Sequence, residues 1–517
     1  MTSKPQMLRS SMVVGFFSLL GGLTGILVET SIAAHLGLSK SSDTFYVAYT
    51  VPYVITNLLG ATGQFSLVPF FSSLETRHSR EELWRGFSYA VNLLFLGLGV
   101  IAAMGAALAP WLIRGIAPGL TPPQTALATK LAGWLFLVIL PAGVVEVFRS
   151  FLLSQQRFVL PSASGFIRNV TVILLILFTF NRYGMYSIVM GYFLGYLLQF
   201  LALGGQILWS FRPRYSLSLV ASGEAFRQLH GAGTAQLLGA AEWQGVVIVE
   251  RIIASFLPPG TLTALNYGFK IMSTIAELLS GSVGTASLPA LSRAVARRNR
   301  EEESRIYRNT LEISLTLVSP MTVFCLLLHE PIIRLIFQRG NFTPDATALL
   351  SGIFFFYSLS LVSFSFIRLL SFALFARGES VMYLRVVTLY FGMTIGFDVL
   401  YVVGLGAGAK GIPLALLTSS MVISFLTYVW DISGLRACCD RVLAGFALKT
   451  SCASLLTAAV VWGLSTWIGS PQSSRGNFVA LTIVCGAGSV VFLGALAGLR
   501  AFPISKLAEV WQGPPVS

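Results

Sequence analysis

Three ionisable residues, Glu250, Arg251 and Lys270, lie close together in the stretch VERIIASFLPPGTLTALNYGFKIM at 249–272. Most of their neighbours in this stretch are apolar. An isolated charge in an apolar environment costs several kcal/mol, so such groups are paired with each other or kept for a ligand or an ion. The stretch is therefore the first candidate for a functional site.

The composition determines the surroundings of this site. The chain has 517 residues, of which 55% are hydrophobic and only 11% are charged. A soluble domain carries about 25% charged residues, and a helix that crosses a bilayer needs about 20 apolar residues. The apolar runs predict an all-α polytopic membrane protein with about 14 transmembrane helices. The first run lacks a small-residue cleavage site, so we expect no cleavable signal.

The net charge of +14 does not indicate nucleic-acid binding, because the basic residues are spread over many connections. Alternate connections between apolar runs are basic, as at 77–85, 211–227 and 292–308. Basic connections stay in the cytoplasm, and an even number of spans places both termini on one side. We therefore expect both termini in the cytoplasm.

A sequence repeat divides the chain. The motif R-E-E-x-x-R at 80–85 recurs 220 residues later at 300–305, and Glu29 recurs as Glu250. Each copy contains six apolar runs, so the two copies have the same orientation in the membrane. The repeat predicts two parallel six-helix bundles, 1–220 and 221–440, followed by two C-terminal helices in 441–517.

Two parallel bundles around a shared axis are typical of a transporter with a binding site between its halves. The chain contains no GxxxxGK[ST] phosphate loop, and its five cysteines and four histidines have no metal-ligand spacing. The apolar runs contain no acidic pair at catalytic spacing. We therefore expect no enzyme activity, no metal and no cofactor.

Several motifs resemble the MurJ/MviN lipid II flippases of the multidrug/oligosaccharidyl-lipid/polysaccharide exporter superfamily. They are DTFYVAYTVPYVITNLLG, GQFSLVPFFSS, ASFLPPGTLTALNYGFKIM, GTASLPALSRAVA and IFQRGNFTPDATALL. The resemblance implies alternating-access transport of a polyprenyl-pyrophosphate-linked glycan such as lipid II, the peptidoglycan precursor, across the cytoplasmic membrane. It also implies a cationic cleft, a groove for the lipid tail along the last two helices, and coupling to the membrane potential or an ion. We expect a monomer whose partners are this substrate, membrane lipids and the coupling ion.

The resemblance also implies roles for individual residues. Lys270 lies where the family has a cavity arginine in the eighth span, and Arg368 matches a basic position in the tenth. Glu29 and Glu250 are further candidates for substrate binding, and Asp398 is a candidate for ion coupling. Where the family carries arginines in its first two spans, this chain has other residues, namely Gly22, Val28, Thr56 and Asn57.

Each of these residues also has an alternative interpretation without a functional role. Lys270 would snorkel to the interface or pair with Glu277, and Arg368 would form an ion pair. Glu29 and Glu250 would pair with Arg251 or lie at the interface, and Asp398 would lie near the outer interface. Glu146 and Arg149 lie three residues apart on one helical face and are predicted to pair with each other. Three other functions stay open: an exopolysaccharide or O-antigen-type flippase, a cation-coupled drug exporter, and a non-transporting scaffold of cell-wall assembly.

Overall fold

A computed structural model describes residues 4–77, 79–217, 234–432, 440–469 and 473–501. Most of these residues are helical, and no strand occurs among them. The all-α prediction is confirmed. The two chain termini, whose cytoplasmic location was predicted, and the proposed boundary at 220 lie outside the described residues.

Helices make up most of the described part of the chain. In chain order they are α1 (Lys4–Leu36), α2 (Lys40–Thr62), α3 (Val68–Arg77), α4 (Arg80–Ile116), α5 (Pro122–Ser154), α6 (Val159–Tyr183), α7 (Tyr186–Phe211), α8 (Thr234–Ala254), α9 (Thr261–Ala276), α10 (Ser282–Ala296), α11 (Arg300–Leu327), α12 (His329–Phe337), α13 (Pro344–Leu359), α14 (Leu361–Arg377), α15 (Ser380–Asp398), α16 (Gly411–Val429), α17 (Arg441–Ile468) and α18 (Ser474–Gly498). Single π-helical turns join α2 to α3, α9 to α10, and extend α15.

Within the described residues, eleven candidate membrane spans meet the length and hydropathy expected of a crossing, or 12 if α13 and α14, bent by 50°, form one span. The predicted total of about 14 is not confirmed. It would require α8 and the continuous α9–α10 segment to cross as well. Both carry ionisable residues. Helix α8 contains Glu242, Glu250 and Arg251, and the α9–α10 segment contains Lys270 and Glu277. The hydropathy of a helix falls where it carries such residues.

Helix starts recur with the spacing of the sequence repeat. Helix α4 begins at Arg80 and α11 at Arg300, which is 300 − 80 = 220 residues later. The side chains of Ser79 and Asn299 cap these helices, and each accepts a hydrogen bond from the backbone N–H three residues on. Acidic residues in the first turn favour a helix start. The repeated R-E-E-x-x-R motif therefore marks the beginning of the same helix in each copy.

The chain divides into two compact units, Met1–Thr263 and Ala264–Ser517, hereafter the first and second units. The first unit contains an aromatic core in which Phe71, Trp84 and Phe87 all contact the Phe151 ring, with centroids 5.1–5.6 Å apart. Edge-to-face contacts of this kind add to the stabilisation from buried area. This core fixes α3, α4 and α5 to one another.

In the second unit, α17 and α18 pack against α11 and α12 through a cluster of buried apolar side chains. Phe324, Leu328, Val461, Leu481 and Val484 form this cluster. Deletion of either C-terminal helix would expose it. The two C-terminal helices are therefore an integral part of the second unit.

Two glycines of α4 provide a matched test of helix packing. A Cβ at Gly105 would lie 2.2 Å from the ring of Phe136, which is 2% exposed, whereas no described atom comes within 4 Å of a Cβ at Gly97. We expect Gly105→Ala to destabilise the protein by about 1–3 kcal/mol, because overpacking outweighs the gain in helix propensity of about 1 kcal/mol.

The measurement is the melting temperature of the purified protein in detergent, with Gly97→Ala as the control. Gly97→Ala should leave the melting temperature unchanged or raise it slightly. Equal melting temperatures for the two variants would contradict the described packing of α4 against α5.

Candidate functional site

Lys270 lies on α9 and is partly exposed. It forms no ion pair or side-chain hydrogen bond within the described residues. Glu277, its predicted alternative partner, lies seven residues on, about 10 Å along the helix axis. The Glu277 carboxylate pairs instead with the Arg368 guanidinium. The alternative of a Lys270–Glu277 pair is therefore wrong, and the charge of Lys270 remains available.

Arg368 lies on α14, and its ion pair with Glu277 links α14 to the π-helical turn after α9. The side chains of Arg368 and Glu277 are 31% and 58% exposed. The predicted alternative for Arg368, an internal ion pair, is confirmed. A ligand at Arg368 would have to compete with this carboxylate, so Arg368 is a weaker candidate than Lys270.

The repeat-related acids have different surroundings. Glu29 accepts a hydrogen bond from the Tyr46 hydroxyl, which joins α1 to α2. Glu250 forms no hydrogen bond or ion pair within the described part of the chain. Arg251 donates a hydrogen bond to the Leu262 carbonyl oxygen at 3.2 Å. Glu250 is therefore the more available of the two acids.

Asp398 is fully buried at the end of α15, where a π-helical turn follows. Thr394 precedes it by one helical turn and donates a hydrogen bond to Ser419 on α16 at 2.9 Å. Thr394 and Ser419 are also fully buried. Hydroxyl and carboxylate oxygens are the ligands that hard cations prefer. Asp398 therefore lies one helical turn from a buried hydroxyl pair that joins α15 to α16.

The predicted pair of Glu146 and Arg149 is confirmed, with Oε2 of Glu146 and Nη1 of Arg149 3.3 Å apart. The Glu146 side chain lies over Gly63, where a Cβ would be 1.9 Å from its Oε1. Gly63 begins the π-helical turn between α2 and α3. A side chain at position 63 would collide with the Glu146 carboxylate, so the observed position of this carboxylate requires glycine there.

One buried carboxylate was missed by the sequence analysis. Asp43, in the first turn of α2, accepts hydrogen bonds from the Gly260 N–H at 2.6 Å, the Thr263 N–H at 2.9 Å and the Thr263 hydroxyl at 2.7 Å. The first N–H groups of a helix have no partner within it, and Asp43 provides one for α9. We call these three bonds the Asp43 clamp.

Gly260 is required by the clamp for two reasons. Its φ of +86° is in the region that favours glycine, and a Cβ there would lie 2.9 Å from the Leu38 backbone. The sequence signal for the clamp is weak. An acid in the first turn of α2 is expected from the dipole of α2 alone and does not indicate a distant partner. Only the PPG turn at 258–260 indicates a close backbone approach.

A bent, multi-helix membrane protein with an unpaired lysine and a buried acid is consistent with several transporter families. The family model described as "Lipid II flippase MurJ" matches residues 32–482. The chain belongs to the MurJ lipid II flippase family. This confirms the resemblance found in the sequence motifs.

Curated members of the MurJ family match over most of their length. A lipid II flippase MurJ of Burkholderia cenocepacia is 25% identical over 386 residues, covering 72% of this chain and 73% of that protein. A probable lipid II flippase MurJ of Rhizobium meliloti is 24% identical over 524 residues, covering 95% of each chain.

Solved structures share the fold. The structure titled "Lipid II flippase MurJ, inward closed conformation" has a TM-score of 0.78 at 20% identity, covering 95% of this chain and 99% of that chain. An inward-facing multidrug resistance MATE family transporter has a TM-score of 0.68 at 15% identity, covering 84% and 99%. MurJ and MATE proteins therefore have the fold of this chain.

The Asp43 clamp gives a testable prediction. Asp43→Asn replaces one acceptor oxygen by an NH₂ group that faces a backbone N–H donor. We expect a destabilisation of about 1–3 kcal/mol, the cost of an unsatisfied buried donor. The measurement is the melting temperature of the purified protein.

Thr263→Ser is the matched control, because it keeps the hydroxyl and both backbone donors. It should melt close to the unsubstituted protein, whereas Thr263→Val should fall between Thr263→Ser and Asp43→Asn. An Asp43→Asn protein as stable as Thr263→Ser would show that the clamp contributes nothing.

Proposed function

We propose that this chain is a flippase that moves a polyprenyl-pyrophosphate-linked glycan, lipid II or a close relative, across the bacterial cytoplasmic membrane. Membership of the MurJ family and the printed names of its relatives support this assignment. The observation that carries it for this chain is Lys270, a cation on α9 that forms no ion pair or side-chain hydrogen bond among the described residues. A pyrophosphate head group would neutralise it.

The proposed role of Lys270 is to hold the head group during transit. A charge-assisted hydrogen bond contributes about 1.5–3 kcal/mol, about double that of a neutral one. An unpaired ammonium is costly in the membrane, and the bound pyrophosphate offsets this cost. Lys270 thereby favours occupied over empty states of the carrier. Arg368, already paired with Glu277, would contribute less.

Alternating access requires helices that bend and contacts that break. Three features support it: the π-helical turns at Gly63–Leu67 and Glu277–Gly281, and the Asp43 clamp. The α2 end that carries Asp43 is opposite the end that leads to the basic 77–85 connection. With that connection in the cytoplasm, the clamp would lie at the outer side and would open when the substrate leaves. We infer that both termini are cytoplasmic.

The lipid tail would stay at the membrane-facing side of the second unit. Helices α17 and α18 expose large apolar side chains, among them Leu455, Trp462 and Val490. A cavity of about 390 Å³ lies between α11, α14 and α16, and Leu443 of α17 contributes to its lining. Apolar surface of this kind is suited to a polyprenyl chain.

Energy for transport would come from the membrane potential or an ion gradient. The sequence has no phosphate-binding loop, and the buried Asp398, Thr394 and Ser419 provide oxygen ligands for a cation. We propose that Asp398 couples ion binding to transport. We also propose that the chain works as a monomer and catalyses no covalent chemistry.

A second candidate substrate is another lipid-linked glycan, such as an exopolysaccharide or O-antigen precursor. Gly22, Val28, Thr56 and Asn57 stand where the family has cavity arginines, which favours a substrate with fewer anionic groups. Both candidates use the same mechanism and differ in the glycan.

Lys270→Ala is expected to reduce transport about ten- to hundred-fold, because it removes the charge-assisted bonds to the head group. Lys270→Arg should retain most of the activity, and Arg368→Ala should cause a smaller loss. The measurement is rescue of bacteria depleted of their own lipid II flippase, with membrane abundance determined in parallel.

The control is Lys130→Ala, which removes an exposed lysine on α5. It should rescue like the unsubstituted protein. Normal abundance of Lys270→Ala together with full rescue would exclude the cationic mechanism. Failure of the unsubstituted protein to rescue would favour the second substrate class or a scaffold.

Asp398→Asn is expected to remove the response of transport to an imposed ion gradient. In proteoliposomes, the gradient should accelerate the unsubstituted protein by about 5- to 150-fold, the usual size of a coupling free energy. Asp345→Asn, at an exposed position in α13, is the control and should respond fully. An Asp398→Asn protein with unchanged ion dependence would exclude Asp398 from the coupling mechanism.

A further inference from the structure

Arg168 on α6 is an intramembrane cation in the first unit that neither the sequence motifs nor the proposed mechanism uses. Its Nη1 donates to the Tyr196 hydroxyl at 3.0 Å, and its Nε and Nη2 donate to the Asn169 side-chain oxygen at 3.3 and 3.2 Å. The guanidinium also lies 5.1 Å from the centre of the Tyr196 ring. None of the ion pairs of the described residues includes Arg168.

All partners of Arg168 are neutral, so its charge is solvated but not neutralised. A guanidinium has five N–H donors, and three are used, which leaves 5 − 3 = 2 for another acceptor. A cation in a membrane normally pairs with an acid or marks a binding site. Arg168 has the features of the second case.

Arg168 lies near the middle of a candidate membrane span, on a face of α6 that packs against protein. Arg168 lies nine residues after the start of α6, about 14 Å along a helix. Leu177, nine residues or about 2.5 turns later, is on the opposite face and is 57% exposed. Asn169 anchors α6 to α1 by donating to the Gly21 carbonyl and the Thr24 hydroxyl. The face of α6 that carries Arg168 is therefore packed against protein.

Tyrosine rings from α2 and α7 surround this face. Tyr49 stacks on Tyr192 with ring centroids 5.0 Å apart, and it contacts Tyr53 at 5.4 Å. Tyr49, Tyr53, Tyr196 and Arg168 are each partly exposed, so the cluster forms an accessible surface. Flat aromatic faces with hydroxyl groups beside a guanidinium suit a ligand that combines sugar rings with an oxyanion.

We propose that Arg168, Tyr49, Tyr53, Tyr192 and Tyr196 form an oxyanion-binding subsite in the first unit. It takes a phosphate or carboxylate of the lipid-linked head group, and the tyrosine rings contact the glycan. This subsite rests on the proposed function and extends it. It supplies a cation to the half of the chain in which Gly22, Val28, Thr56 and Asn57 replace the arginines of the family.

The test measures binding to the full-length protein in nanodiscs. The probes are lipid II, polyprenyl pyrophosphate without a glycan, and a phosphate-free muropeptide. Arg168→Gln is expected to weaken lipid II binding about ten- to hundred-fold, because charge-assisted bonds to the oxyanion are lost. Arg182→Gln, which removes an exposed arginine at the end of the same helix, is the matched control and should bind like the unsubstituted protein.

The other two probes identify the source of the oxyanion. A loss of affinity for polyprenyl pyrophosphate on Arg168→Gln substitution assigns the subsite to phosphate. A loss restricted to the muropeptide assigns it to a peptide carboxylate. Either result supports the subsite.

Unchanged affinity of a folded Arg168→Gln protein for all three probes would overturn the inference, while the proposed function would stand if that protein still rescued flippase-depleted cells. Should Arg168→Gln fail to insert, Arg168→Lys keeps the charge but loses the planar fork, and about three- to tenfold weaker lipid II binding is expected. Unchanged binding by Arg168→Lys and by Tyr196→Phe would then overturn it. No binding and no transport by the unsubstituted protein would reject both proposals.

Discussion

The cost of a charge inside the hydrocarbon governs this structure. Several charged residues in the described part of the chain meet that cost with an internal partner. Arg368 pairs with Glu277, Arg377 with Glu303 and Arg149 with Glu146. Lys270 has no such partner, and Arg168 has only neutral ones. The same physical rule that explains the pairs therefore identifies these two cations as places for an anionic ligand.

The backbone also makes room for polar groups to reach specific partners. Two close glycine contacts each make room for a polar group. Glu146 fits because Gly63 has no side chain, and Asp43 reaches the start of α9 because Gly260 allows the chain to approach Leu38. Polar groups at these bends are satisfied by specific partners, so the bends have defined positions. Helices with such bends are suited to a carrier that changes its shape.

The sequence predicted features whose signal is local or repeated. The Glu146–Arg149 pair and the family were both accessible, because residue spacing acts over one helical turn and the family motifs are continuous stretches of sequence. The predicted count of about 14 spans is not confirmed, because α8 and the α9–α10 segment carry ionisable residues and are not among the candidate spans of the described chain.

Contacts between distant segments could not be predicted in this way. Asp43 binds residues more than two hundred positions later, Glu277 selects Arg368 over Lys270, and Arg168 meets a tyrosine of the next helix. None of these partners has a signal in the spacing of the sequence. The repeat as two superposable six-helix bundles stays a prediction.

The most direct measurement of the central claim is translocation by the purified protein in proteoliposomes with two fluorescent lipids. One carries its glycan on a polyprenyl pyrophosphate, and the other carries the same glycan on the same polyprenyl chain through an uncharged linker. The account predicts rapid translocation of the pyrophosphate-linked lipid and little of the uncharged one. Equal rates for both lipids would contradict the claim that unpaired cations hold the head group.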